Sequence, residues 1–523
     1  MGGLMVKSIR KHTLLSAALL LFALFQATPS AIAQDDDLFN AAGKGNLPRV
    51  QALLASGKDV NAKSQNGGTA LVWAAYFGKP DVVKALLDKG ADINASDNDG
   101  ETALFMASRQ GNADVVQPLL DRKAEIDART KKGETALMWA AQENHLEVVR
   151  LLMAKGAAIN LQSNDGETGL SLASQRGHFE VVTTLLGGGS DVNLPDLDGW
   201  TALIWASQEG HFDVVRALLA KKADVNVKGK NGVTALLMAA GHGSPEIVRA
   251  LLENGADINS KKDDGGTALM NACAAYKPDV VRELLARGAD VNARKNDGTS
   301  ALYCASTNGH LDVVQALLAK DADVNSKSNI GATALIAASL GGHFDVVQLL
   351  IAKGADVNAE TSNGGTALMM ACQGGFIEVV RALLAAKADV NSRTSDQGTT
   401  PLMFASAKGN VDVVQALLSA KANVGAKKID GATALIIASQ GGHLDVVNTL
   451  LATGAEVNST DASGQTALVF ASLMGHTDVV QALLAKGADV NARNDKGSTA
   501  LGAAIFGKHD EVKAILLQAG AKP

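Results

Sequence analysis

Short apolar-periodic runs alternate with polar turns along most of this chain, and the alternation repeats. The copy from Gly464 to Asn491 reads GQTALVFASLMGHTDVVQALLAKGADVN. Thr466 precedes the first apolar run, where a threonine hydroxyl caps the free N–H groups of a helix start. Ala467 takes the first helical position, which Pro401 holds in another copy; proline suits it because no needed donor is lost. Gly475-His476 ends this helix. Asp478 opens a second one with its charge at the positive helix end. Val479, Val480, Leu483 and Leu484 give that helix an apolar stripe. Gly487 is the left-handed residue expected after its last turn. The pattern predicts helix, tight loop, helix and long turn, a unit that buries its apolar faces only when stacked on copies of itself.

The capping residue recurs at Thr69, Thr102, Thr135, Thr168, Thr201, Thr234, Thr267, Ser300, Thr333, Thr366, Thr400, Thr433, Thr466 and Thr499. The step is 33 residues except from Thr366 to Thr400, where it is 34. The extra residue falls between Val390 and Thr400, so a turn absorbs it. A 33-residue unit carrying T-x-L-x-x-A, G-H and G-A-D-V-N resembles the ankyrin repeat, and the resemblance runs from about residue 36 to the end. It implies an all-α solenoid of about fifteen helix-loop-helix-turn units. Residues 34–65 form an N-terminal capping repeat without the threonine, 66–494 thirteen internal repeats and 495–523 a C-terminal capping repeat. One departure stands out. Where the family pattern T-P-L-H has its histidine, this chain has Val72, Phe105, Met138 or Ile204, so that histidine's hydrogen bonds are expected to be absent or replaced.

Composition adds an address. Lys7, Arg10 and Lys11 precede an apolar run from Leu14 to Phe25, followed by Ala31-Ile32-Ala33. Residues 1–33 read as a secretory signal peptide of bacterial type, cut after Ala33. The expectation is a periplasmic or secreted chain without stable membrane insertion after cleavage. The remaining 45 basic and 54 acidic residues give a net charge of −9, which argues against nucleic acid as a partner. Cys273, Cys304 and Cys372 form no disulfide framework and read as small packed side chains. Lysine or aspartate replaces the left-handed glycine at Lys123, Lys222, Asp321, Lys387 and Lys421, where strain is expected. Gly187-Gly188-Gly189 marks a soft helix end.

Candidate chemistry is sparse. Eight of ten histidines, including His145, His178, His343, His443, His476 and His509, fall one per repeat in the loop between helices. Metal ligands must converge on one ion at about 2.0–2.1 Å, so a ladder of single histidines is read as structural. No nucleophile elbow, phosphate-binding loop or zinc signature is present. No catalytic residue, metal or cofactor is expected, and the chain is read as a non-enzyme.

Specific information must then lie where the copies differ. Counting from the capping residue, a helical wheel at about 100° per residue turns positions two, five and nine toward the core, as at Leu203, Ala206 and Gly210. Positions four, seven and eight turn the other way. Position four holds Trp73, Met106, Trp139 and Trp205, and the fourth tryptophan, Trp200, immediately precedes Thr201. Glu101, Glu134 and Glu167 take the place before the cap in three successive repeats. Arg109, Arg176 and Glu209 stand at positions seven and eight. The resemblance implies protein binding in a concave groove of first helices and turns. Tryptophan is enriched at binding hot spots, so these eleven residues, in repeats two to six, are the expected contact surface. Later repeats are expected to be smoother there. The leading expectation is a monomeric, non-catalytic scaffold binding a protein partner; the alternative is a secreted effector binding a host protein through the same groove.

Overall fold

The computed structural model describes residues 37–522. Residues 1–36, with the expected signal peptide and its cut, lie outside the described residues. Among these there are thirty α-helices and no strands, arranged as first and second helices of fifteen repeats. The chain forms two compact units. One comprises the repeats up to Ala206 together with Asp213–Ala223; the other comprises Ser207–Phe212 and everything from Asp224 onward.

Local chemistry starts each first helix. The hydroxyl of Thr135 accepts from Met138 N–H, that of Thr333 from Ile336 N–H and that of Ser300 from Tyr303 N–H. The first repeat lacks a threonine, and Asp37 does the same work through its carboxylate, accepting from Phe39 N–H at 3.0 Å. Second helices differ. Thr477–Ala485 begins after His476, whose side chain makes no capping bond, and Asp478 lies within its first turn.

Burial follows the period. In Ala136–Gln142, Ala136, Leu137, Met138, Ala140 and Ala141 are buried, so positions one, two, three, five and six all face protein. Leu203 and Ala206 match the wheel. Position nine does not belong to the core face: Gly210 follows the end of its helix and adopts φ 80°. Position three, where the family pattern has histidine, is core here, with Phe105, Met138 and Ile204 buried. Position six is closely packed, and its serine hydroxyls at Ser306, Ser339, Ser406, Ser439 and Ser472 are buried without a partner.

Hydrogen bonds step from one repeat to the next. The position-ten histidines do part of this. His145 Nε2 donates to Arg109 O at 3.0 Å and His178 Nε2 to Gln142 O at 2.9 Å. His343, His443, His476 and His509 reach the position-seven carbonyl of their preceding repeats in the same way. Asn112 substitutes for histidine, donating to Ala75 O at 2.9 Å. In the turns, the asparagine of D-V-N bonds in both directions. Asn292 Oδ1 accepts from Asp323 N–H at 2.8 Å while its Nδ2 donates to Asp321 O at 3.2 Å. Asn325 does the same to Asp356 and Gly354. The 34-residue step leaves this pattern intact, with Asn391 Oδ1 accepting from Asn423 N–H at 2.8 Å. The residues at the glycine positions, Lys123, Lys222, Asp321, Lys387 and Lys421, do take φ of 60–68°, where a side chain is strained.

One turn breaks the pattern. Its sequence is A-N-V-G, so Gly425 occupies the asparagine slot and offers no side-chain oxygen to Glu456 N–H. A Cβ at Gly425 would meet nothing closer than 3.6 Å, and the residue is not left-handed. Gly425→Asn is therefore expected to add the missing rung and stabilise its two repeats by about 1 kcal/mol. Slower amide exchange at Glu456 is the readout; unchanged exchange there would refute the rung.

Candidate functional site

The expected contact residues sit where first helices and turns meet, and all except Glu209 lie in the first unit. The structure sorts them into three groups.

The first group is aromatic. Trp73 stacks on Phe77 with ring centroids 6.1 Å apart, and Tyr76 meets Phe77 edge-on at 4.9 Å. Phe77 is 49% exposed, whereas Trp73 and Tyr76 are half-buried. Trp73 Nε1 is buried without a partner, a condition that costs about 1–3 kcal/mol. Tyr76 and Phe77 are missing from the expected site. Their signal was present, since they hold positions seven and eight after Thr69.

The second group combines charge and indole. Arg109, at the last turn of Ala103–Arg109, places its guanidinium 4.5 Å over the Trp139 ring and 3.4 Å from Glu101 Oε1. Phe105 meets the same Trp139 ring edge-on at 6.1 Å. Burial pushes the Glu101 carboxyl up to about 7; Arg109 pulls it down, while Asp97, Asp99 and Glu134 push it up. Met106 and Glu134 are half-buried, and Glu134 Oε2 accepts from Thr130 Oγ1 at 3.4 Å.

The third group is built on Asp196. Its Oδ1 accepts the backbone N–H of Trp200 at 2.8 Å and of Asp198 at 2.9 Å, and its Oδ2 accepts Trp205 Nε1–H at 3.1 Å. Burial raises the Asp196 carboxyl, opposed by these hydrogen bonds. Trp200 lies against Trp205 with centroids 4.5 Å apart. Trp205 is only 9% exposed, so it is the floor beneath Trp200. Asp196, five residues before the cap, carries no mark in the repeat pattern that would single it out.

The remaining residues are dispersed. Glu167 is half-buried before Thr168, and Arg176 is exposed at the end of Gly169–Arg176. Glu209 lies in the second unit, where its Oε1 accepts from Gln208 Nε2 at 3.1 Å. Position four is thus no open stripe. Its tryptophans are half-buried or buried because each ring lies on a side chain of its own or the preceding repeat. Among the described residues no group of histidine, cysteine, aspartate and glutamate could hold a metal ion. No helix there is long and apolar enough to cross a membrane.

A stack of two-helix units of about 33 residues is the architecture of a helical repeat protein. The family profile described as ankyrin repeats (3 copies) matches residues 38–130, 124–196, 170–262, 236–328, 326–394, 392–461 and 435–523. The chain belongs to the ankyrin repeat family, a generally non-catalytic fold for protein–protein interaction. No curated protein matches it. Among solved structures it is similar to the human ASB11 ankyrin repeat domain, at 28% identity over 43% of this chain and 100% of that one, with a TM-score of 0.41.

The Glu101 carboxyl supplies a test. Its folded value, about 7, lies above its ordinary 4.5, so ionisation opposes folding. The cost is absent below the ordinary value, grows as pH rises and is complete above the folded value. Glu101→Gln should therefore stabilise the chain by about 1 kcal/mol at pH 8 after discounting for partial exposure. It should give no gain at pH 4, as read from thermal unfolding at the two pH values. An equal effect at both would show that the carboxylate is not held from water.

Proposed function

We propose that this chain is an exported, non-catalytic scaffold that binds a protein partner in the groove formed by first helices and turns of repeats two to six. The observation that carries the reading is the row of prebuilt aromatic and acidic groups in the first unit: Trp73 with Tyr76 and Phe77, Glu101 and Arg109 with Trp139, and Asp196 with Trp200 and Trp205. Side chains already locked by ring contacts and hydrogen bonds lose little freedom on binding, which favours affinity. Three acidic neighbours around Glu101 against one Arg109 suit a partner segment with basic side chains, and Phe77 suits an apolar one. The acidic balance of the chain disfavours nucleic acid.

Partner capture by the purified chain, followed by titration of the captured protein, tests the groove. Trp139→Ala combined with Phe77→Ala is expected to weaken binding by about 2 kcal/mol or more, roughly 30-fold. Unchanged affinity in a variant with unaltered unfolding would refute the site.

Export rests on residues 1–33: a basic front, a short apolar run and Ala31-Ile32-Ala33. The expected product begins at Gln34 and partitions with the periplasm or the medium. Terminal sequencing and fractionation decide it, and a chain retained in the cytoplasm with its first residues intact would overturn it. Recovery from the medium would favour the effector reading over periplasmic residence.

A further inference from the structure

The residue five places before a cap closes the turn in the same way in successive repeats. Asp97, Thr130, Ser163 and Asp196 accept the backbone N–H groups of Glu101, Glu134, Glu167 and Trp200. Thr130 and Ser163 each use their one oxygen on two such groups, whereas a carboxylate keeps a second oxygen. Tryptophan stands at position four after Ser64, Thr130 and Asp196, so repeat six alone pairs that spare oxygen with an indole. Asp196 Oδ2 accepts Trp205 Nε1–H at 3.1 Å, while the buried Nε1 of Trp73 has no partner. Repeat six is also alone in placing an aromatic residue, Trp200, directly before its cap.

Repeat four shows what a ring in this row can hold. The Arg109 guanidinium lies 4.5 Å from the Trp139 ring centroid and 3.4 Å from Glu101 Oε1. The cation stands at position seven of the preceding repeat, and the carboxylate directly before that repeat's cap. Two repeats on, Glu167 keeps the place of the carboxylate, but the place of the cation holds Gln175. The turn carrying Glu167 packs on that of Asp196: Leu197 N–H donates to Asp165 O at 3.0 Å, and a Cβ on Gly166 would lie 2.9 Å from Asp196 Cα. Trp200 covers Trp205 at 4.5 Å. This carries the aromatic surface outward, from a ring 9% exposed to a half-buried one. Among the described residues no cation pairs with Asp196 and none lies on Trp200; the nearby Arg176 is exposed and makes no ion pair there.

We propose that Trp200 and Asp196, with Glu167 beside them, seat an arginine of the partner, the guanidinium that repeat four supplies from its own chain. This seat rests on the groove reading above and specifies the side chain taken there. A guanidinium suits it better than an ammonium. It is planar and weakly hydrated, so it can stack on an indole while its edge donates to a carboxylate.

Ligand-observed NMR on the purified full chain with N-acetyl-arginine amide tests the seat without the partner. Saturation should pass from the chain to the δ-methylene protons, with Kd in the millimolar range of so small a ligand. N-acetyl-citrulline amide, the uncharged isostere, should bind about ten-fold more weakly. Trp200→Leu should weaken the arginine amide by about ten-fold and Trp200→Phe by only about three-fold, since indole is the better cation acceptor. Gln175→Arg, which restores the cation of repeat four from within, should abolish binding with thermal unfolding unchanged or raised. Equal binding of the arginine and citrulline amides would overturn the seat. So would the absence of binding at about 20 mM, or arginine binding that persists in Gln175→Arg. Partner capture that depends on Trp139 and Phe77 would survive each of these results, so failure of the seat is distinguished from failure of the groove.

Discussion

The two-way hydrogen bonding of the turn asparagine is the constraint on which the rest of the stack depends. Asn292 and Asn325 each accept a backbone N–H and donate to a backbone carbonyl of the following repeat. A bond of that kind fixes distance and rotation together. Apolar burial alone is non-directional; it would hold helix pairs together without saying how far each is turned against the next. Where position ten is histidine, as at His145 and His178, it fixes the other end of the preceding first helix, at the carbonyl where that helix stops. Where position six is buried it carries only small side chains, as at Ser306 and Ser339, and position three is core, as at Phe105 and Met138.

That rigidity explains the form of the candidate site. Because each repeat is held against its predecessor, a side chain from one can be placed against a ring from the next with little freedom left, as Arg109 is against Trp139. The Asp196 carboxylate holds two tryptophans by one hydrogen bond each and the Asp198 N–H by a third. The pH response of such a row arises from neighbours rather than from any residue alone. Glu101 is raised chiefly by burial, against the pull of Arg109.

Much of the fold was legible because it repeats. A capping hydroxyl every 33 residues states the helix starts, and the 34-residue step could be assigned to a turn before any geometry was known. Residues that act by their own chemistry were readable, as the left-handed lysines were. Residues that act through a neighbour were not. A wheel drawn for one helix turns position four outward; it contains no information about the Arg109 or Trp200 that comes to lie over the indole. Asp37 escaped the threonine pattern because a carboxylate serves as well as a hydroxyl at a helix start. Position nine misled the wheel because the helix has already ended there.

The cross-repeat bonds have a further consequence, in time rather than in space. None of the described hydrogen bonds joins residues more than 37 apart in sequence, so every partner is made within about one repeat of the residue it binds. Chains with such local connectivity fold quickly, since no long loop must close first. Order can begin at any pair of adjacent repeats and spread in either direction. Pulled from an end, the chain should release repeats one at a time, each 33-residue unit lengthening it by about 110 Å when drawn straight. The same bonds that fix the register of the stack thus also fix the size of the step in which it can be taken apart.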